Sequence, residues 1–176
     1  PGEAHSLGRR LGAAPNVRAE RIRAAFVAAP GHGFLVGDFA AIEARVIAWL
    51  AGEQWVLDLF KNGGDIYCET GTRMFGQEVK KHSPLRQRAK VAVLACGYQG
   101  GVGALKAMGG EKLGLGEDEM ASIVDAWRKA NPRIAQMWWD INRAALEAIK
   151  NGTSQMVGRI KVYQKLGALV IALPSG

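Results

Sequence analysis

Cysteine is scarce in this chain of 176 residues: there are two, Cys68 and Cys96. They stand far apart, each within an apolar helical pattern, which favours reduced core thiols over a disulfide or a metal pair. Histidine is nearly as thin, and His5, His32 and His82 have no ligand-like spacing to one another or to either cysteine. That pattern gives no support to a zinc site. Long apolar runs are missing too: none reaches the roughly 20 residues of a membrane span, and no signal-peptide pattern opens the chain. These absences point to a cytoplasmic protein without a membrane partner. The sequence opens on proline rather than methionine and stops at "LPSG", a turn signal just after an apolar strand, so both ends read as cut.

What is present is a globular composition with a basic balance. Hydrophobic residues make up 48% of the chain, enough to bury a core. The length suits one domain or two small lobes sharing a core. Lys and Arg number 23 against 16 acidic residues, a formal charge of +7. With an isoelectric point near 9.7, the excess favours a polyanionic partner, nucleic acid or nucleotide.

Punctuation divides the chain into short elements. After an irregular arm, Asn16 can cap a helix from Val17 to about Ala29, which Pro30 ends. "FLVGDF" reads as a short buried strand ending at Asp38. Helical spacing follows from Ala41 to Leu50, then over "EQWVLDLF", then over "IYCETGTRMF" with Asp65 as its cap. Ser83 followed by Pro84 opens a helix to about residue 97. A charged helix starts near Glu117, and another starts at Pro132 and closes at Asn151-Gly152. The tail reads as a hairpin turning at Lys165-Leu166-Gly167. The class is α+β and predominantly helical.

Two constellations carry chemistry. Asp38, at a strand end before a helix, is a common place for a metal ligand, and also a common helix cap. Glu43, in the first turn of that helix, can be functional or simply solvated. In "RQRAKVAVLACGYQGG", Arg86, Lys90, Leu94 and Tyr98 fall four apart and so drift by only about 40° per step, a single strip about 18 Å long. Such a strip suits a ligand anionic at one end and flat at the other, as a nucleoside triphosphate is. An amphipathic helix with snorkelling cations is the alternative. The glycines after Tyr98 fit neither phosphate-loop spacing.

Taken together and in this order, these stretches resemble family A DNA polymerases, especially the bacteriophage-type relatives of DNA polymerase I. "DFAAIEARVIAWLAG" is similar to motif A (D-Y-S-x-I-E-x-R). "LFKNGGDIYCETGTRMFG" is similar to the connecting segment (F-x-x-G-x-D-I-H-x-x-T-A-x-x-x-F-G). "RQRAKVAVLACGYQGG" is similar to motif B (R-x-x-x-K-x-x-x-[FYL]-G-x-x-Y-G).

The resemblance implies part of a right-hand polymerase: a palm segment at 1–54, helical fingers at 55–150 and a strand hairpin at 151–176 returning to the palm. Asp38, with the Phe39 carbonyl, would help hold a pair of Mg²⁺ ions that drive nucleotidyl transfer from a dNTP to a primer 3′-hydroxyl. Glu43 would reject a 2′-hydroxyl, Arg86 and Lys90 would hold the triphosphate, with Lys90 near the transferring phosphorus, and Leu94 and Tyr98 would pack on sugar and base. The partners implied are primer-template DNA and dNTPs, with a monomeric protein in the cytoplasm, the host's if a phage encodes it. Departures are Ala40 and Ala41 after the aspartate, Tyr67 for a histidine, Leu94 for an aromatic, and Ala95 and Gln99 for glycines. The His-Asp-Glu run of motif C is missing, so the chain reads as cut before it and inactive by itself. Glu43 argues against a single-subunit RNA polymerase. A non-catalytic basic nucleic-acid-binding module, or a degenerate polymerase paralogue, is the competing reading.

Overall fold

The computed structural model describes residues 25–176. The chain forms two compact units that meet in sequence between Phe39 and Ala40. In the first, residues 25–39 carry neither helix nor strand. The expected strand over "FLVGDF" is therefore absent. Phe34, Leu35 and Val36 are exposed at 62%, 101% and 88%, and an extended segment becomes a strand only when a neighbour takes up its N–H and C=O groups. The helix expected over 17–29 lies largely outside the described residues, and its last residues, 25–29, are not helical.

The second unit, Ala40–Gly176, is built of helices and one small sheet. Helices α1 (Ile42–Ala51), α2 (Gln54–Lys61) and α3 (Ile66–Phe75) follow in quick succession. They are separated by Gly52, in a left-handed C-cap, and by Asp65, whose carboxylate accepts from the Tyr67 and Cys68 amides. No side chain caps α1; Ala41 precedes it at φ 50°. Helix α4 (Pro84–Cys96) starts as its sequence dictates, with the Ser83 hydroxyl accepting from Leu85 N–H and proline in the first turn. The short α5 (Val102–Ala107), α6 (Glu117–Ala130) and α7 (Pro132–Asn151) complete the helical layer.

Helix α4 lies at the centre of this unit. Ala89, Val91, Ala92, Val93, Ala95 and Cys96 are all buried, and all but Ala89 share a core with Leu105, Met120, Ile123, Trp127 and Ile134 from the later helices. Trp127 stacks on Trp138 with ring centroids 5.7 Å apart, a geometry that adds to plain area burial. Helix α3 approaches α4 closely because Gly71 has no side chain: a Cβ there would stand 3.2 Å from Ala89 Cβ and from both γ-carbons of Val79. Farther along, the chain folds back over the end of α4 at Gly100, where a Cβ would meet the Ala95 carbonyl oxygen at 2.2 Å. That glycine in the run after Tyr98 is thus a packing requirement.

Strands β1 (Gln155–Val157), β2 (Ile160–Lys165) and β3 (Ala168–Ala172) form an antiparallel meander. Leu166 and Gly167 turn the second hairpin at φ 51° and 77°, both left-handed, as a tight two-residue hairpin requires. The inner face of β2, Ile160 and Val162, packs on Met137, Ala144 and Ala148 of α7. Arg159, in the turn between β1 and β2, donates to the Trp49 carbonyl near the end of α1 and lies over the Trp49 ring. The sheet is thereby tied to both α7 and α1. Cys68 and Cys96 are both free thiols, the first half-buried and the second buried.

Candidate functional site

The strip on α4 was expected to run unbroken from Arg86 to Tyr98. The helix itself ends at Cys96, and Gly97 keeps a right-handed helical conformation (φ −56°, ψ −26°); Tyr98 lies in the turn that follows. Glu43 from α1, Tyr67 and Thr70 from α3, and Leu94 and Tyr98 from the α4 region line one recess, with Trp127 and Asn131 behind them. Its volume is about 60 Å³. Glu43 and Tyr98 are exposed and Leu94 half-buried. Thr70 Oγ1 and Trp127 Nε1 are buried without a hydrogen-bond partner among the described residues.

Arg86 and Lys90 stand to one side, over the face of Tyr67. The Arg86 guanidinium carbon is 5.2 Å from the ring centroid and Lys90 Nζ is 5.9 Å away, both within cation–π range. Arg86 is already engaged: its Nε and Nη2 both donate to Asp65 Oδ2, at 3.2 and 2.8 Å. Lys90, half-buried, has no ion-pair partner among the described residues.

Electrostatics follow from this arrangement. Burial alone would raise the Asp65 carboxyl, but the hydrogen bond from Arg86, the Cys68 and Tyr67 amides and the guanidinium charge outweigh it and hold it below the usual carboxylate value. The hydrogen bond to Asp65 likewise keeps Arg86 more firmly protonated than an ordinary arginine. Burial pushes the Tyr67 phenol up; Arg86 opposes the shift while Asp65 and Glu43 reinforce it. The phenol therefore stays neutral and its ring remains a platform for cations.

Asp38 and Phe39 lie in the 25–39 stretch, both exposed, and so belong to the other compact unit. Sequence reasoning saw Asp65 only as a helix cap. Its second oxygen holds Arg86, and the single cue to this was the D-I-Y triplet that also places Tyr67 below the arginine.

A sequence model of DNA polymerase family A matches residues 13–169. The chain belongs to DNA polymerase family A. The DNA polymerase of Bacillus phage SP02 is 46% identical over 170 residues, covering 94% of this chain and 26% of the phage protein. The DNA polymerase of Mycobacterium phage D29 is 31% identical over 131 residues, 74% of this chain and 20% of that protein. A thermostable DNA polymerase I of Thermus thermophilus is 30% identical over 152 residues, 86% of this chain and 18% of the enzyme. The chain thus spans about a quarter or less of the length of these relatives. Family membership makes sense of one local anomaly. Gln99 occupies the final glycine position of motif B, and its φ is 62°, a left-handed conformation that glycine adopts without the strain other residues bear.

No helix among the described residues is long and apolar enough to cross a membrane.

Proposed function

We propose that this chain supplies the nucleotide-handling part of a polymerase that carries out template-directed DNA synthesis, with dNTPs and primer-template DNA as its partners. The observation that carries the reading is the gathering of Glu43, Tyr67, Leu94 and Tyr98 around one recess with two cations beside it. In this reading residues 1–54 are a palm segment, 55–150 the fingers and 151–176 a hairpin returning to the palm of a monomeric enzyme. Arg86 and Lys90 neutralise the triphosphate, with Lys90, the cation not already paired, nearest the transferring phosphorus. Leu94 and Tyr98 pack on the sugar and base. Glu43 crowds a 2′-hydroxyl and so selects deoxynucleotides.

Membership of the family supports a divalent-metal requirement in general. Asp38, with the Phe39 carbonyl, would contribute to a Mg²⁺ pair. Among the described residues, however, no three His, Cys, Asp or Glu side chains converge as a metal site, and a hard cation needs several oxygen ligands. These residues do not by themselves fit two Mg²⁺ ions; the contribution assigned to this chain is to bind, orient and select the nucleotide.

Single-nucleotide incorporation by the complete polymerase of which this chain is a part tests the proposal. Lys90→Ala should slow incorporation of deoxy- and ribonucleotides alike by about 10- to 100-fold, the scale of one charge-assisted contact of about 1.5–3 kcal/mol. Glu43→Ala should raise ribonucleotide incorporation and leave deoxynucleotide incorporation nearly unchanged. Unaltered rates in Lys90→Ala would remove the phosphate role. DNA binding without any incorporation by the complete, unmodified protein that carries this chain would favour a non-catalytic module instead.

A further inference from the structure

The first turn of α3 does two things with one aspartate. Asp65 Oδ1 accepts from the amides of Tyr67 and Cys68, at 2.9 and 3.1 Å, and so caps the helix. Oδ2 makes no part of the cap; it takes both N–H groups on the side-on edge of Arg86, a residue 21 positions later on another helix. The pair is enclosed, with the Arg86 and Asp65 side chains 26% and 22% exposed, so it is screened far less than a surface ion pair. Tyr67, two residues on, lies under the face of the same guanidinium. An arginine side chain has several freely rotating bonds, and here it is fixed from one edge and one face at once.

A guanidinium offers five N–H groups. Asp65 consumes one on Nε and one on Nη2, leaving the two on Nη1 and the second on Nη2. Two of those three, one on each Nη, form the end-on fork, the edge that grips two oxygens of a phosphate together. We propose that Asp65 is a positioning residue for nucleotide binding: it holds the guanidinium of Arg86 by its side-on edge over the Tyr67 ring, so that the end-on fork is oriented toward the triphosphate before the nucleotide arrives. This rests on the assignment of Arg86 to the triphosphate. The gain is preorganisation, since the rotamer entropy of Arg86 is lost on folding and not again on binding. A carboxylate this close also repels the triphosphate, and the inference holds that orientation outweighs repulsion.

The test separates capping from positioning. Asp65→Asn keeps an oxygen for the Tyr67 and Cys68 amides but loses the charge that holds Arg86; Asp65→Ser does the same with a shorter capping group. In the complete polymerase that carries this chain, both variants should raise the KM for dNTP about tenfold, the scale of one charge-assisted hydrogen bond. The kcat should stay near its original value, while the melting temperature falls by a few degrees as the ion pair is lost. Arg86→Ala should raise KM at least as far, and adding Asp65→Asn to it should cost nothing more, because the aspartate would then have nothing to position. An unchanged or lowered KM in Asp65→Asn, or a fully additive double variant, would overturn the inference while leaving Arg86 a phosphate ligand. An unchanged KM in Arg86→Ala would overturn both, by removing the role on which it rests.

Discussion

Replacing Glu53 with alanine should destabilise the fold far more than an unremarkable glutamate in a polar sequence suggests. The start of α7 has a complete hydrogen-bond account in which Glu53 fills the last gap. Asn131 N–H donates back to the Trp127 carbonyl, and Pro132 has no N–H to satisfy. The Arg133 and Ile134 amides remain, and Glu53 Oε2 accepts both at 2.8 and 3.3 Å. Among the described residues no other side chain caps this helix; Asn131 spends its own amide on the Trp127 carbonyl. Glu53 is 4% exposed, so water does not readily replace it. One strong and one long charge-assisted bond, at a helix N-terminus that favours negative charge, amount to about 3 kcal/mol. For a chain of this size the melting temperature should fall by about 6–12 °C. Thermal unfolding followed by far-ultraviolet circular dichroism reads this directly. Glu53→Gln, which keeps an acceptor without the charge, should lose about half as much. A melting temperature within about 2 °C of the original in Glu53→Ala would show that the two amides find another acceptor, and that this account of the α7 start is wrong.

Gln99→Gly should raise the melting temperature by about 1–4 °C, because relief of left-handed strain of about 1–2 kcal/mol exceeds the extra freedom glycine gives the unfolded chain; no rise would mean that Gln99 sits there unstrained. Burial pushes the Cys96 thiol from its ordinary 9.0 up to about 11, so a thiol reagent at pH 8 should leave Cys96 unmodified in the folded protein and reach it only on denaturation. The folded state then holds a proton that the unfolded state releases, so this contribution to stability is whole below about pH 9 and is lost as the pH climbs through about 11. Cys96→Ala should flatten that decline in melts taken across the range, and an unchanged slope would exclude the thiol as a source.

Local chemistry was legible wherever a residue's role is settled by its own neighbours in sequence. Asp65, Ser83-Pro84 and Asn151-Gly152 mark real helix ends, and Leu166-Gly167 marks a real hairpin turn, because caps and tight turns are decided within four or five residues. Glu43, Leu94 and Tyr98 line one recess; the four-residue spacing linked only Leu94 and Tyr98, and Glu43 was tied to them by the resemblance alone. "FLVGDF" failed because a strand is a property of two segments, and its composition says nothing of whether a partner is at hand. Glu53 and the second oxygen of Asp65 were illegible for a related reason. Each acts on a residue 80 or 21 positions away, a distance at which no periodicity carries information.

The near-contact of α3 and α4 at Gly71 and Ala89 bears on how this molecule can move. Backbones that close leave no side-chain cushion to shear across, and the loop joining them is plugged by Val79, 4% exposed, whose amide donates to Thr72 Oγ1 at 3.0 Å. The two helices and their loop therefore travel as one rigid lever, carrying Asp65, Tyr67, Arg86 and Lys90 in fixed mutual register. In the reading proposed above, any displacement on nucleotide capture would have its bending points outside this lever, and the hold on phosphate would be set by shape before it is set by motion.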